Sequence, residues 1–191
     1  MKDIEIEIQV KIENSDHLIE FLKKEAEFKK EKHQIDDYFT PCHKNFIKEK
    51  PVREWLRIRN EGDKSFINYK NWHYDENGRG NYCDEYETEI ERPEQMEKIL
   101  KSLDFKLLTT VDKLRKTWTY KDYEIDLDFV KDLGDFVEIE YIGSNEAVDP
   151  KEITDEMINF LKELQCGKIE INYVGYPFQL LFPKEVKFKG I

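Results

Sequence analysis

The amino-acid sequence predicts an α+β protein in which about eight antiparallel strands form a closed β-barrel with flanking helices. Three observations predict this fold. Apolar and polar residues alternate with a period of two in several short segments, which is typical of strands with one buried face. Turn residues separate these segments at short intervals. Helix start signals occur near the beginning, the middle and the end of the 191 residues.

The first strand, expected at residues 3 to 12, has the clearest alternation. Its apolar row is Ile4, Ile6, Ile8, Val10 and Ile12, and its polar row is Glu5, Glu7, Gln9 and Lys11. A period of two puts the two rows on opposite faces of the strand. The segment Asn14-Ser15-Asp16 then offers a helix cap, and the apolar stripe behind it predicts a helix through Phe28.

The remaining strands follow from the same alternation and from the turn residues between them. They are expected at residues 35–40, 54–60, 65–71, 82–91, 106–115, 116–120, 123–129 and 136–141. Gly62 and Asp63 suit a tight hairpin between two of these segments. Lys121-Asp122 and Leu133-Gly134-Asp135 supply later turns. The result is a meander of about eight strands, which is enough to close a small barrel.

Two further helices and one loop complete the predicted chain path. Pro93 begins a helix through Leu103, because proline is favoured in the first helical turn. Asp149-Pro150 begins the last helix, and Gly167 is its expected stop. Residues 74–81 are polar and contain two glycines, so we expect a mobile loop there.

Composition limits both the domain count and the class of partner. A chain of 191 residues suits one domain, placed at residues 1–191, and 13% aromatic residues argue against disorder. The net charge of −11 disfavours binding to nucleic acid and to anionic membranes. The sequence shows neither an apolar signal segment nor an apolar run of about 18 residues. We therefore expect a cytoplasmic protein without a membrane partner, and the sequence leaves a homodimer open.

Charged residues recur on every second position of other predicted strands as well. They are Arg57 and Arg59; Glu85, Glu87 and Glu89; Lys113 and Arg115; and Glu138 and Glu140. In a closed barrel these rows would face the interior, where an isolated ion costs several kcal/mol. Neighbouring carboxylates suit Mg²⁺ or Mn²⁺, and gathered arginine and lysine residues suit phosphate. An anionic polyphosphate that carries its own metals would neutralise both kinds of row.

Six motifs, taken in order along the chain, resemble the CYTH, or triphosphate tunnel, enzymes. They are Glu5-x-Glu7, Leu56-Arg57-Ile58-Arg59, Tyr69-Lys70, Glu85-Tyr86-Glu87-Thr88-Glu89, Asp112-Lys113-Leu114-Arg115-Lys116 and Leu133-Gly134-Asp135-Phe136-Val137-Glu138-Ile139-Glu140. The resemblance implies a tunnel of about eight strands that binds a triphosphate and a divalent metal. The last motif, with Leu127-Asp128 before it, most resembles the class IV adenylyl cyclases; the family also includes thiamine triphosphatases and inorganic triphosphatases.

The resemblance also implies a role for individual residues. The expected metal ligands are Glu5, Glu7, Asp126, Asp128, Glu138 and Glu140. The expected phosphate-binding residues are Lys11, Arg57, Arg59, Lys70, Lys113 and Arg115. Glu5, Glu7, Lys113 and Arg115 are the expected catalytic residues. Gln9 departs from the family signature Glu-x-Glu-x-Lys, and Lys11, about 6 to 7 Å further along the same strand face, is the expected substitute.

The implied chemistry is phosphoryl or nucleotidyl transfer, to which the protein contributes mainly positioning and electrostatics. Attack by the ribose 3′-hydroxyl on the α-phosphate would convert ATP to cyclic AMP and pyrophosphate. Attack by water on the terminal phosphorus would instead hydrolyse thiamine triphosphate, tripolyphosphate or a nucleoside triphosphate. The motif wording favours the cyclase and leaves the triphosphatase open. Because of Gln9, a noncatalytic module that binds polyphosphate is a third interpretation.

Overall fold

The computed structural model describes residues 6–74, 80–143, 149–171 and 174–190, which contain four helices and ten strands. The helices are α1 (Asp16–Glu25), α2 (Pro93–Ser102), α3 (Pro150–Glu163) and α4 (Tyr176–Leu181). The strands are β1 (Glu7–Ile12), β2 (Glu27–Pro41), β3 (Glu54–Glu61), β4 (Lys64–Tyr74), β5 (Gly80–Glu89), β6 (Phe105–Tyr120), β7 (Tyr123–Val130), β8 (Gly134–Tyr141), β9 (Ile169–Ile171) and β10 (Lys189–Gly190). The three expected helices are therefore present, and α4 was not foreseen.

The chain divides into two compact units. The first unit contains Met1–Lys32, Leu114–Tyr173 and Val186–Ile191, and the second contains His33–Lys113 and Val174–Glu185. Both β2 and β6 are long strands whose residues belong partly to one unit and partly to the other. The single domain expected at residues 1–191 stays a prediction.

In the first unit, the strands follow the order β10-β9-β1-β8-β7-β6-β2. Antiparallel register places Val10 opposite Val137, and Val137 opposite Leu127. This apolar face is buried against α1 and α3, where Leu18, Met157 and other residues complete the core. Each fully buried leucine or valine contributes about 1.5–3 kcal/mol. The alternation read in the first strand is thus confirmed, since its apolar row forms a core.

In the second unit, the strands follow the order β6-β2-β3-β4-β5. Phe39, Leu56 and Ile58 on one face of β2 and β3 pack with Leu100 of α2. The predicted hairpin is confirmed: β3 and β4 pair from Glu54 to Glu61, and Gly62 in the turn has a φ of 60°. The opposite face of these strands carries the charged residues described below.

The closed barrel of eight strands is not confirmed. The described residues form ten strands, and the pairing within each unit ends at an edge strand, β10 in the first and β5 in the second. What is observed is antiparallel strand pairing in each unit, with α1 and α3 packed on the apolar strand face of the first unit and α2 on that of the second. The predicted mobile loop falls mainly on residues 75–79, which lie outside the described residues.

Two predicted element boundaries are wrong. The first helix ends at Glu25, and Phe28 belongs to β2, where its ring lies 5.4 Å from the ring of Trp118 in an edge contact. The two strands expected at 106–115 and 116–120 are one continuous strand, β6. Both corrections have the same cause, because pairing between the two long strands extends each of them beyond its local sequence signal. Among the described residues, no helix is long and apolar enough to cross a membrane.

Candidate functional site

In the first unit, the guanidinium group of Arg115 is held by three carboxylates. Its Nε and Nη2 donate to the two oxygens of Asp128, each at 2.7 Å. Its Nη1 lies 2.6 Å from Asp126 Oδ2, and its Nη2 also donates to Glu138 Oε2 at 3.2 Å. We call these four residues the Arg115 cluster. Three of the predicted metal ligands are therefore brought together around one predicted phosphate-binding residue.

Strand register explains why these side chains meet. Asp126 lies directly opposite Glu138 in the pairing of β7 with β8, and Gln9 lies opposite Glu138 in the pairing of β1 with β8. Gln9 Nε2 donates to Glu138 Oε2 at 3.1 Å, so the residue at the signature lysine position supports a carboxylate with a neutral donor. The hydroxyl of Thr117 donates to Asp126 Oδ1. Thr117 was not among the predicted site residues.

Burial and charge shift the titration of this cluster. Burial on its own lowers the pKa of Arg115, but the hydrogen bond to Asp128 and the neighbouring carboxylates outweigh it and raise that pKa. Burial also raises the pKa of Asp126, with a further contribution from Glu138, despite the opposing effect of Arg115. One cation thus faces three acids, and one of those acids is less easily ionised than usual.

The donor chemistry of the Arg115 cluster fits a divalent metal ion. The cluster sets three carboxyl groups against one guanidinium, and carboxylate oxygens are the donors that Mg²⁺ and Mn²⁺ prefer. Glu7 and Glu140 lie directly opposite each other on β1 and β8 and add two more carboxylates to the same face. In the part of the chain that the structure describes, no three acidic, histidine or cysteine side chains are already grouped as a metal site. Glu5 lies outside the described residues.

In the second unit, a single buried carboxylate holds two arginines. Asp36 accepts from Arg59 Nε and Arg59 Nη2, each at 2.7 Å, and from Arg57 Nη1 at 3.2 Å. The hydroxyl of Tyr38 accepts a longer hydrogen bond from Arg57 at 3.5 Å. We call these four residues the Asp36 cluster. It brings together two of the predicted phosphate-binding residues around an aspartate that the sequence analysis had missed.

Register again sets the geometry, because Asp36 lies opposite Arg59 and Tyr38 lies opposite Arg57 in the pairing of β2 with β3. Two guanidinium groups and one carboxylate leave this cluster with an excess positive charge. Arg57 Nε is buried and has no hydrogen-bond partner; among the described residues, only one other buried polar side-chain atom, Gln34 Oε1, shares that property. A buried donor without an acceptor is costly, so an oxygen acceptor would stabilise the site.

A polar network extends the same face onto β4 and β5. Asn68, which is buried, donates to Glu85 at 2.7 Å and to Glu87 at 3.1 Å. Lys70 pairs with Glu85 at 3.0 Å, and Arg57 Nη2 lies 4.0 Å from Glu87. Glu85 and Glu87 of β5 are therefore partners of two predicted phosphate-binding residues, Lys70 and Arg57. Glu85 and Glu87 are each more than two-fifths exposed, unlike the buried Asp36.

Two predicted phosphate-binding lysines lie in different surroundings. Lys113 is buried, and its Nζ lies 5.2 Å from the centre of the Tyr176 ring at the start of α4. Lys11 Nζ donates to the carbonyl oxygen of Leu133 at 2.6 Å and lies 5.7 Å from the ring centres of Phe136 and Phe188. The ammonium group of Lys11 is thus engaged within the first unit. Its role as a substitute for the signature lysine stays a prediction.

The missed residues had a signal in the sequence. Asp36 and Tyr38 alternate with Ile35 and Asp37 in a predicted strand, so they share one face in the same way as Arg57 and Arg59. The pattern did not show that this face pairs with the arginines. Asn68 gave no comparable signal, because a single asparagine in a strand is uninformative without its neighbours.

The Asp36 cluster predicts a loss of stability in acid. Burial on its own raises the pKa of Asp36, but the Arg59 hydrogen bond and the nearby positive charges of Arg57, Arg59 and Lys113 outweigh it, so that this pKa is lowered. A carboxyl with a lowered pKa stabilises the fold above its unfolded pKa of about 3.9, and the stabilisation is lost as the pH falls.

Urea denaturation between about pH 4 and pH 2 would measure this effect. The unfolding free energy of the wild-type protein is expected to fall more steeply than that of Asp36→Asn, by up to about 1.4 kcal/mol per pH unit. Parallel slopes in the two proteins would contradict the assignment of a lowered pKa to Asp36.

Comparison with known proteins gives consistent matches. The CYTH domain family model matches residues 3–171. A Methanocaldococcus jannaschii protein named "Putative adenylate cyclase MJ0240" is 34% identical over 174 residues, which cover 91% of this chain and 96% of that protein.

Solved structures share the fold. The PH1819 protein of Pyrococcus horikoshii OT3 is 28% identical with a TM-score of 0.70, and the match covers 95% of this chain and 100% of that one. The Hippeastrum protein HpAC1, described as having a dominant triphosphatase activity, is 19% identical with a TM-score of 0.68, and the match covers 96% and 98% of the two chains. At that identity the Hippeastrum likeness shows the fold alone.

Proposed function

This chain belongs to the CYTH domain family, and on that premise we propose that it is a metal-dependent enzyme that converts ATP to cyclic AMP and pyrophosphate. The name of the Methanocaldococcus jannaschii relative supports the cyclase assignment. The observation that carries the proposal is the Asp36 cluster. It presents two nearly buried guanidinium groups with an excess positive charge and one donor without a partner.

Phosphate is the ligand that such a cluster suits best. Guanidinium groups bind phosphate oxygens through two parallel hydrogen bonds, and arginine stays charged at any physiological pH. The unpartnered Nε of Arg57 would gain an acceptor from a phosphate oxygen, which removes the cost of leaving it unbonded. Lys70, paired only with half-exposed Glu85 among the contacts described above, would add a compact positive charge. A phosphate site in a chain of net charge −11 would therefore depend on these three cationic side chains.

The Arg115 cluster is the proposed metal site of the first unit, with Asp126, Asp128 and Glu138 as ligands and Glu7 and Glu140 beside them on the same face. A divalent ion held there would supply positive charge and favour an ionised attacking oxygen. Arg115 would hold the three carboxylates in place, and Gln9 would orient Glu138.

A triphosphatase is the second candidate. The proposed phosphate-binding residues suit a triphosphate whichever oxygen attacks it, so thiamine triphosphate, tripolyphosphate and nucleoside triphosphates are all candidate substrates. A displacement of about 1 Å in the nucleophile can change the rate 10²-fold, so the two outcomes differ by small shifts. The third candidate, a noncatalytic polyphosphate-binding module, is favoured by Gln9 at the signature lysine position.

Product analysis distinguishes the three candidates. The purified protein would be incubated with ATP, tripolyphosphate or thiamine triphosphate, each with Mg²⁺ or Mn²⁺. We expect cyclic AMP and pyrophosphate from ATP. Free phosphate would identify a triphosphatase, and saturable binding without product would identify a binding module. Absence of both product and binding would overturn the proposed function.

Glu7→Ala is expected to abolish turnover, because it removes a proposed metal-binding carboxylate opposite Glu140. Product formation at saturating Mg²⁺ or Mn²⁺ is the measurement. Glu20→Ala on the exposed surface of α1 makes the same change in net charge and is expected to leave turnover unchanged. Unaltered turnover in Glu7→Ala would show that Glu7 is not a required metal ligand.

A further inference from the structure

We propose that Asp36 is a positioning residue, which orients the guanidinium groups of Arg57 and Arg59 toward phosphate and stays bonded to them when phosphate binds. This inference rests on the proposed function, because it concerns how the Asp36 cluster receives its ligand. Neither the motif resemblance nor the expected site residues had assigned a role to Asp36.

The hydrogen bonds of Asp36 leave little freedom to either arginine. Arg59 contacts both carboxylate oxygens through Nε and Nη2 at 2.7 Å, which fixes the plane of its guanidinium group. Arg57 reaches the same carboxylate through Nη1 at 3.2 Å, so one acid sets the relative orientation of both. The N–H groups of the two arginines that Asp36, Tyr38 and Glu87 do not engage, Arg57 Nε among them, are then left for a ligand. Such preorganisation lowers the entropy lost when an anion binds.

Burial distinguishes Asp36 from the other acids of this face. Its side chain is 3% exposed, whereas that of Glu87, which approaches Arg57 only to 4.0 Å, is 42% exposed. A phosphate that arrives from solvent can displace the exposed Glu87. Displacement of Asp36 by phosphate would instead separate a buried carboxylate from its two guanidinium partners, and breaking a buried ion pair is strongly unfavourable. Asp36 is therefore a lasting support for the arginines.

The substitution Asp36→Asn distinguishes a positioning role from a purely electrostatic role, because the affinity for an anion would change in opposite directions. If Asp36 acted only through its negative charge, Asp36→Asn would make the cluster more positive and tighten anion binding. If Asp36 positions the arginines, the amide NH₂ would oppose an arginine donor and weaken binding despite the more favourable charge. The two accounts predict opposite changes in affinity.

The experiment measures tripolyphosphate binding by isothermal titration calorimetry in wild-type protein, Asp36→Asn and Asp37→Asn. Asp37 is the matched control, since it is the next residue on the opposite face of β2 and its loss changes the net charge equally. We expect Asp36→Asn to weaken binding about 10- to 100-fold, the loss typical when an orienting partner is removed, and Asp37→Asn to have little effect. Circular dichroism and urea denaturation would establish that each variant is folded. Unchanged or tighter binding by folded Asp36→Asn would overturn the inference and leave the proposed function standing.

A second measurement needs no variant, so it holds even if Asp36→Asn does not fold. The side-chain Nε–H signals of Arg57 and Arg59 would be followed by NMR while tripolyphosphate is added to the wild-type protein. We expect the Arg57 signal to shift, because its Nε gains an acceptor, and the Arg59 Nε–H to stay protected from solvent exchange. Loss of that protection on binding would show that phosphate displaces Asp36 and would overturn the inference. No binding by the wild-type protein would overturn the proposed function as well.

Discussion

Arg115→Met is expected to lower the unfolding free energy by about 3–5 kcal/mol, the cost typical of removing one partner from a buried ion pair. Asp128 is fully buried, and both of its oxygens accept from Arg115. Without the guanidinium group, Asp126, Asp128 and Glu138 would lose the cation that they share. Methionine matches the length of the arginine stem, so the loss would reflect charge and hydrogen bonding more than packing.

Urea denaturation at neutral pH would measure this effect. Lys116→Met is the matched control on the next position of β6, since the Lys116–Glu31 ion pair is partly exposed and is expected to contribute less than about 1 kcal/mol. If Arg115→Met cost no more than Lys116→Met, the three carboxylates would have to be neutralised in another way. The electrostatic account of the Arg115 cluster would then be wrong.

Arg57→Ala is expected to lower kcat/KM for the triphosphate substrate by about 10²- to 10³-fold, the range found when one donor to developing charge is removed. Arg57 has the strongest structural case for contact with phosphate, because its Nε is the buried donor that lacks a partner. The variant also removes one of the cations that balance Asp36. Steady-state kinetics with the substrate identified by product analysis would measure the loss.

Arg92→Ala is the control for Arg57→Ala, because Arg92 is exposed before α2 and its side chain makes no capping hydrogen bond. It changes the net charge equally and is expected to leave kcat/KM within about twofold, since an exposed charge is largely screened by salt. Equal losses in the two variants would point to a general effect of net charge. Arg57 would then have no specific part in phosphate binding.

The errors in the predicted fold have identifiable causes. The helix was extended to Phe28 because an apolar residue there continued the stripe of α1, although its ring packs on Trp118 as part of β2. The next four residues, Lys29-Lys30-Glu31-Lys32, carry no apolar alternation, so nothing in their local pattern indicates a strand. They form one because β6 pairs alongside. Whether a segment forms a strand depends more on such neighbouring strands than on the intrinsic preference of its residues.

The candidate site was predicted unevenly for a related reason. The structure places Arg57, Arg59 and Arg115 on polar strand faces, where each is largely buried, and the site roles of these residues stay predictions. Asp36 was missed, although it forms the centre of the second cluster. An Asp-Asp pair in a short strand has many exposed counterparts in other proteins, and only the register with Arg59 gives it a distinct role.

Local pattern was sufficient for the two-faced strands, the helix starts at Asp16, Pro93 and Pro150, and the charge rows, because a period of two or a helix cap depends only on neighbours along the chain. Only the tertiary structure showed which charged side chains are in contact. Arg115 and Asp128 are 13 positions apart, and Arg57 and Asp36 are 21 apart. Such pairs are set by strand register and by the cost of burying an unpaired charge, neither of which is specified within one strand.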